Sequence, residues 1–321
     1  MTLSEEEAME STGGERTEHH LQWRSTAVQG RPAAYGIAGA GAPVVFLHGW
    51  GLAHRSYKRA LKRLVAAHLQ VYAPALPGGG GTAGLPAAEM SLAGYAAWVA
   101  EFIRAVGIDE PVTLIGHSFG GGVAIRTAHD APSCVARLIL VNSIGGSAWT
   151  DGKGVIRAIA ERPWWDWGLH LREDVLPLRQ ITRVLPVITE DLLPNLLHDP
   201  AAIWRAANIA RSADLTTELE ELKRRRLPVV IVWSKDDNVI PRASLATLRS
   251  ALGDPQLITV PGNHGWVISD PELFAEVITN LIIVPPGIEP PVTLHPTASP
   301  APDGLTGGAG PGARGATAEP A

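Results

Sequence analysis

The chain has 321 residues, 45% of them hydrophobic, enough for a buried core in one large α/β domain or two small ones. Its 27 basic against 32 acidic residues leave a formal net charge of -5, which gives no electrostatic ground for a nucleic-acid partner. One cysteine, Cys134, excludes an internal disulfide and argues against a cysteine-based metal site.

In chain order, residues 1–21 are polar and acidic and are predicted to be a disordered leader. The start, Met1-Thr2-Leu3-Ser4-Glu5-Glu6-Glu7, lacks the apolar stretch of a secretory signal. No apolar run anywhere reaches the roughly 18 residues of a membrane span, so a soluble cytoplasmic protein is expected. Six short apolar runs then follow: Val44–Leu47, Val71–Ala73, Val112–Ile115, Leu138–Val141, Val229–Trp233 and Leu257–Val260. They are β-branched and do not alternate with polar residues, the pattern of strands buried on both faces of a parallel sheet. Helical spacing falls between them. Leu92, Tyr95, Val99, Phe102 and Val106 share a face, with Ser91 as N-cap. A helix is also predicted from Phe119 to about His129, and Asp270-Pro271 caps the last helix.

From about 143 to 212 the rhythm breaks into short helical pieces cut by Pro163, Pro177, Pro186, Pro194 and Pro200. This reads as a helical insertion over the sheet, carrying Trp149, Trp164, Trp165, Trp167 and Trp204 to pack a lid or line a pocket. Residues 285–321, rich in Pro, Gly and Ala, are predicted to be a disordered tail, which leaves 22–284 as the folded part. Strand–helix alternation of this kind implies a doubly wound α/β sheet.

The chemistry centres on Gly116-His117-Ser118-Phe119-Gly120. Roughly one such chain in six would carry the bare G-x-S-x-G pattern by chance, so context decides. Here it ends a buried strand and opens a helix, which sets Ser118 on a sharp turn at a helix N-terminus, where developing negative charge is favoured. A serine nucleophile needs a base and an acid to orient it. His264 follows the last strand run, and Asp236 and Asp237 follow the one before it, in the order Ser, Asp, His. Asp237 is the preferred acid, with its neighbour Asp236 chemically equivalent; the end of the preceding strand holds Asn142-Ser143 and no carboxylate. Glycines on both sides of Trp50, in His48-Gly49-Trp50-Gly51, free its backbone N–H to join that of Phe119 as an oxyanion donor.

These motifs resemble the α/β-hydrolase superfamily in its serine branch, over residues 43–142 and 213–283. Leu47 to Leu52 resembles the family's oxyanion loop, in a version similar to that of pimeloyl-ACP methyl ester esterases and small carboxylesterases. Gly116 to Gly121 resembles the nucleophile elbow, Ser234 to Pro241 the acid loop with Ser234 in place of a glycine, and Gly262-Asn263-His264 the histidine loop. The insertion resembles a helical lid in position only. Two departures stand out. Ala75 replaces an aspartate common in the family, ahead of the glycine-rich run Gly78 to Gly81, which puts that loop's rigidity at issue. The elbow residue is serine, not the aspartate of dehalogenases and epoxide hydrolases. The resemblance implies a serine hydrolase acting on an apolar ester or related acyl bond, with no cofactor and no metal. C–C hydrolysis, perhydrolysis of the non-haem haloperoxidase kind and acyl transfer on the same triad are the alternatives, as is a non-catalytic ligand-binding protein of this fold.

Other features read as structural. His48 is expected to hold its loop and His117 to fill the elbow. His198-Asp199 lacks further ligands for a metal. Lys223 to Arg226 reads as a solvated helix end, and the four glycines lack the Lys-Ser/Thr of a phosphate loop.

Overall fold

The computed structural model describes residues 20–146 and 200–283. Residues 1–19 of the predicted leader, the predicted tail, the tryptophans of the insertion other than Trp204, and His198-Asp199 lie outside them.

Eight strands form one sheet in the order β1-β2-β4-β3-β5-β6-β7-β8. The six predicted runs are β3 (Pro43–Leu47), β4 (Gln70–Pro74), β5 (Val112–His117), β6 (Val135–Val141), β7 (Val229–Ser234) and β8 (Gln256–Val260), all paired in parallel. Two strands go beyond the sequence expectation. β1 (Gln22–Val28) and β2 (Arg31–Ala38) make an antiparallel hairpin that joins β4, also antiparallel. Its turn residues Gln29 and Gly30 both have positive φ, as a two-residue hairpin turn requires.

The central strands bury both faces, as their sequences predict. Val45, Leu47, Leu114, Leu138, Leu140, Ile231 and Trp233 belong to one core, and Val44, Phe46, Ile115, Ile139, Val141, Val230 and Val232 to the other. The first core is covered by helices α2 (Leu92–Ala105), α3 (Phe119–Asp130), α5 (Thr216–Arg224) and α6 (Arg242–Leu252), joined by α4 (Pro200–Arg211) from the end of the insertion. The second is covered by α1 (Lys58–Ala66), α7 (Trp266–Ser269) and α8 (Pro271–Ile283). Each fully buried Leu, Ile or Phe contributes about 1.5–3 kcal/mol through removal from water. β8 departs from the two-face expectation: it is an edge strand, and Thr259 is exposed. Ser91 caps α2 by accepting a hydrogen bond from Gly94 N–H, and Asp270 caps α8 by accepting from Leu273 N–H.

The chain runs from β3 outward to β4, then returns past β3 to lay down β5. The strand order therefore reverses between β3 and β5, and a crevice opens there at the carboxyl ends of the strands.

Candidate active site

Six parallel strands end at this edge, and five of them lead into a residue of interest. Leu47 leads into His48-Gly49-Trp50, His117 into Ser118, Val141 into Asn142, Ser234 into the Asp236-Asp237 pair, and Val260 into the His264 loop. Ser118 has φ 55° and ψ -118°, a conformation that costs a non-glycine residue about 1–3 kcal/mol. The chain can hold it because Gly116 and Gly120 let β5, the turn and α3 close up. A Cβ on Gly116 would collide with the Gly120 carbonyl, and one on Gly120 with the carbonyl oxygens of Leu47 and His48.

His264 Nε2 lies 2.9 Å from Ser118 Oγ, and His264 Nδ1 lies 2.9 Å from Asp237 Oδ2. A carboxylate can only accept, so Nδ1 carries the proton and Nε2 is left to accept from the Ser118 hydroxyl. Asp237 is buried and Asp236 exposed, so geometry separates the two candidate acids. Asp237 Oδ1 accepts from the N–H groups of Val239 (2.9 Å) and Ile240 (3.0 Å), and Oδ2 accepts from Asn142 Nδ2 (2.5 Å). Burial pushes the Asp237 carboxyl up, but the His264 charge and the bonds from His264, Ile240 and Asn142 outweigh it and hold the group below its usual range.

Asn142 is a participant that sequence reasoning passed over. It stands at the β6 position considered for the acid, at φ 43°, a left-handed conformation that asparagine tolerates. It accepts from Trp266 Nε1 at 2.8 Å and donates to both Asp237 and Ser234 Oγ, the latter at 2.8 Å. The serine that replaces the family's glycine thus serves as an acceptor. The only prior signal was the placement of an amide at the end of a strand beside the acid's strand.

His48 and His117 do more than fill space. His48 Nδ1 donates to the Gly49 carbonyl (2.9 Å), and Nε2 accepts from Leu76 N–H (2.8 Å), which pins the Trp50 loop to the end of β4. His117 lies with its ring 5.1 Å from that of His264. Burial first, then the neighbouring His264 charge, pushes it down to about 3, so it is neutral at pH 7.

An open cleft of about 400 Å³, solvent space at its mouth included, lies beside Ser118. His48, Trp50, Leu52, Leu76, Pro77, Tyr95, Phe119 and Ala206 line it together with Gly49, Gly51, Gly78 and Gly79, with no Asp, Glu, Lys or Arg of the described residues among them. The glycine-rich wall is well tied: Gly79 N–H donates to Leu76 C=O, Thr82 N–H to Gly79 C=O, and Ala34 N–H to Thr82 Oγ1. Among the described residues no group of three or more His, Cys, Asp or Glu could hold a metal ion, and no helix is long and apolar enough to cross a membrane.

The family model described as "Alpha/beta hydrolase family" matches residues 44–277. A pimeloyl-[acyl-carrier protein] methyl ester esterase of Yersinia pseudotuberculosis is 30% identical over 250 residues, 74% of this chain and 92% of the relative. A putative non-heme haloperoxidase of Mycobacterium phage D29 is 26% identical over 252 residues, 75% of this chain and 87% of the relative. Among solved structures, an esterase from Exiguobacterium antarcticum superposes with a TM-score of 0.65 at 19% identity, covering 81% of this chain and 99% of its own. With the family model spanning well over half its length, and with this sheet and these strand-end loops, the chain belongs to the alpha/beta hydrolase family and is a hydrolase of it.

Proposed function

We propose that the protein is a serine hydrolase that cleaves a carboxylic ester through an acyl-enzyme on Ser118. The observation that carries this reading is the unbroken run of contacts from Ser118 Oγ through both nitrogens of His264 to Asp237. In this mechanism His264 Nε2 takes the Ser118 proton as Oγ attacks the substrate carbonyl. Asp237 holds the ring in the required tautomer and stabilises the imidazolium. The N–H groups of Trp50 and Phe119 receive the oxyanion, helped by the positive end of α3. Collapse of the tetrahedral adduct breaks the ester C–O bond, and the alcohol leaves with the proton from His264. Water, deprotonated by His264, then attacks the acyl carbonyl; Ser118 recovers its proton and the carboxylic acid departs. No cofactor enters this scheme. The uncharged lining of the cleft favours an apolar acyl or alcohol group of modest size.

The test is active-site labelling. Wild-type protein should react with a fluorophosphonate probe and turn over p-nitrophenyl esters. Ser118→Ala should lose both, with kcat down about ten-thousandfold or more. Labelling retained in Ser118→Ala overturns the assignment. Perhydrolysis is a second reading, favoured by the likeness to the phage protein named a putative non-heme haloperoxidase. Formation of a peroxy acid from acetate and hydrogen peroxide, faster than ester hydrolysis, would select it.

A further inference from the structure

Tyr57 closes a short 3-10 turn, His54–Tyr57, and is completely buried, its ring packed 4.9 Å from that of Phe46. Its hydroxyl lies 3.1 Å from Gly49 N and 2.8 Å from His117 Nδ1, and His117 Nε2 lies 3.1 Å from the carbonyl oxygen of His264. The direction of every bond follows from the chemistry of the two ends. A carbonyl can only accept, so His117 Nε2 carries the proton. The ring is neutral, so Nδ1 accepts, and the Tyr57 O–H donates to it. Gly49 N–H can only donate, and the Tyr57 oxygen receives it.

The chain therefore joins three separate pieces of the site: the loop that carries Trp50, the elbow that carries Ser118, and the loop that carries His264. Tyr57 thus holds the His48–Gly49 peptide, and the next peptide, Gly49–Trp50, is held in turn because His48 Nδ1 donates to the Gly49 carbonyl. In a planar trans peptide the Trp50 N–H then points away from His48. Both peptides that flank Gly49 are thereby set by side chains. There is little room to spare: a Cβ on Gly49 would sit 3.2 Å from both His117 Nδ1 and the Tyr57 hydroxyl.

We propose that Tyr57 is a positioning residue for the reaction, acting through His117 to hold the oxyanion loop and the backbone of the base in fixed relation across the nucleophile. The proposal rests on the reading of Ser118, Asp237 and His264 as the reacting centre. It also requires two buried histidines in opposite tautomers: His117 protonated at Nε2, and His48 protonated at Nδ1, since His48 Nε2 accepts from Leu76 N–H.

The test is Tyr57→Phe, which keeps the packed ring and removes only the hydroxyl. The expected result is a kcat for p-nitrophenyl esters lowered about ten- to hundredfold with KM within about threefold, because Gly49 N–H and His117 Nδ1 are left buried without their partner. The rate of fluorophosphonate labelling of Ser118 should fall in parallel. Nitrogen-15 NMR of the wild-type protein should show His117 as the Nε2–H form at pH 7, a signature that mere packing does not dictate, and this preference should weaken in Tyr57→Phe. Equal labelling rates in the two proteins overturn the role of Tyr57 alone. His117 found as the Nδ1–H form or as imidazolium in wild type overturns the chain of bonds. No labelling of wild type at all overturns the reading of the reacting centre, and this proposal with it.

Discussion

At the scale of single residues, the two neighbouring aspartates show how position divides identical chemistry. Asp236 and Asp237 cannot be told apart by type, yet one is exposed and the other is buried against His264, Asn142 and two backbone N–H groups. Asp237→Asn should keep the packing but disturb the His264 tautomer, and kcat should drop by about four orders of magnitude. Asp236→Asn should stay within about twofold of wild type. Steady-state kinetics of the pair checks both expectations, and a large loss in Asp236→Asn would contradict the assignment. Ser118, Asp237 and His264, whose side chains lie in contact, could be picked as candidates from the sequence because each belongs to a short motif at the end of an apolar run, as do Trp50 and Phe119, whose part as oxyanion donors is proposed. Tyr57 and Asn142 could not. Tyr57 meets His117 across 60 residues of chain, and Asn142 meets Asp237 across 95. Neither contact leaves a local pattern to find.

At the scale of elements, legibility followed hydrophobicity. The six central runs were visible because strands buried on two faces must be apolar throughout. The β1–β2 hairpin was hidden because Arg24 and Ser25 are exposed, while its inward positions include residues as small as Ala33. The elbow depends on contact between elements and not on either alone. One of its tight points is Gly120, where α3 touches the carbonyl oxygens at the end of β3. Gly120→Ala should destabilise the protein by about 1–3 kcal/mol, the usual range for an overpacked core site, and thermal denaturation measures it. Activity should suffer more than stability, because the displaced carbonyls belong to the residues that lead into the Trp50 loop. Relief of the clash without loss of kcat would argue against that coupling.

At the scale of the whole molecule, two buried histidines contribute to how stability responds to acid. His54 and His117 are each held down to about 3, mainly by burial. Neither ring nitrogen of His54 has a hydrogen-bond partner among the described residues. The unfolded chain takes up protons near the ordinary histidine value of 6.5, while the folded chain does not until about pH 3. The unfolded state therefore binds more protons across that window, and stability falls as pH drops from about 6.5 toward 3, by up to roughly 1.4 kcal/mol per pH unit for each histidine. Above 6.5 both rings are neutral in either state and the effect is absent. His54→Leu should flatten part of this dependence, raising the melting temperature at pH 5 relative to wild type by more than it does at pH 8. Melting curves across pH test this, and equal shifts at both values would contradict it.

The proposed base hangs from the sheet's margin. β8 pairs with β7 on one side and has no strand of the described residues on the other. The proposed nucleophile, by contrast, follows β5, which has neighbours on both sides. Fluctuations that peel an edge will reach His264 long before they reach Ser118. Heat should therefore silence the protein while most of its sheet is still intact. The bond from His117 to the His264 carbonyl works against that sequence of events, as a mooring from the centre of the sheet to the loop beyond its edge strand.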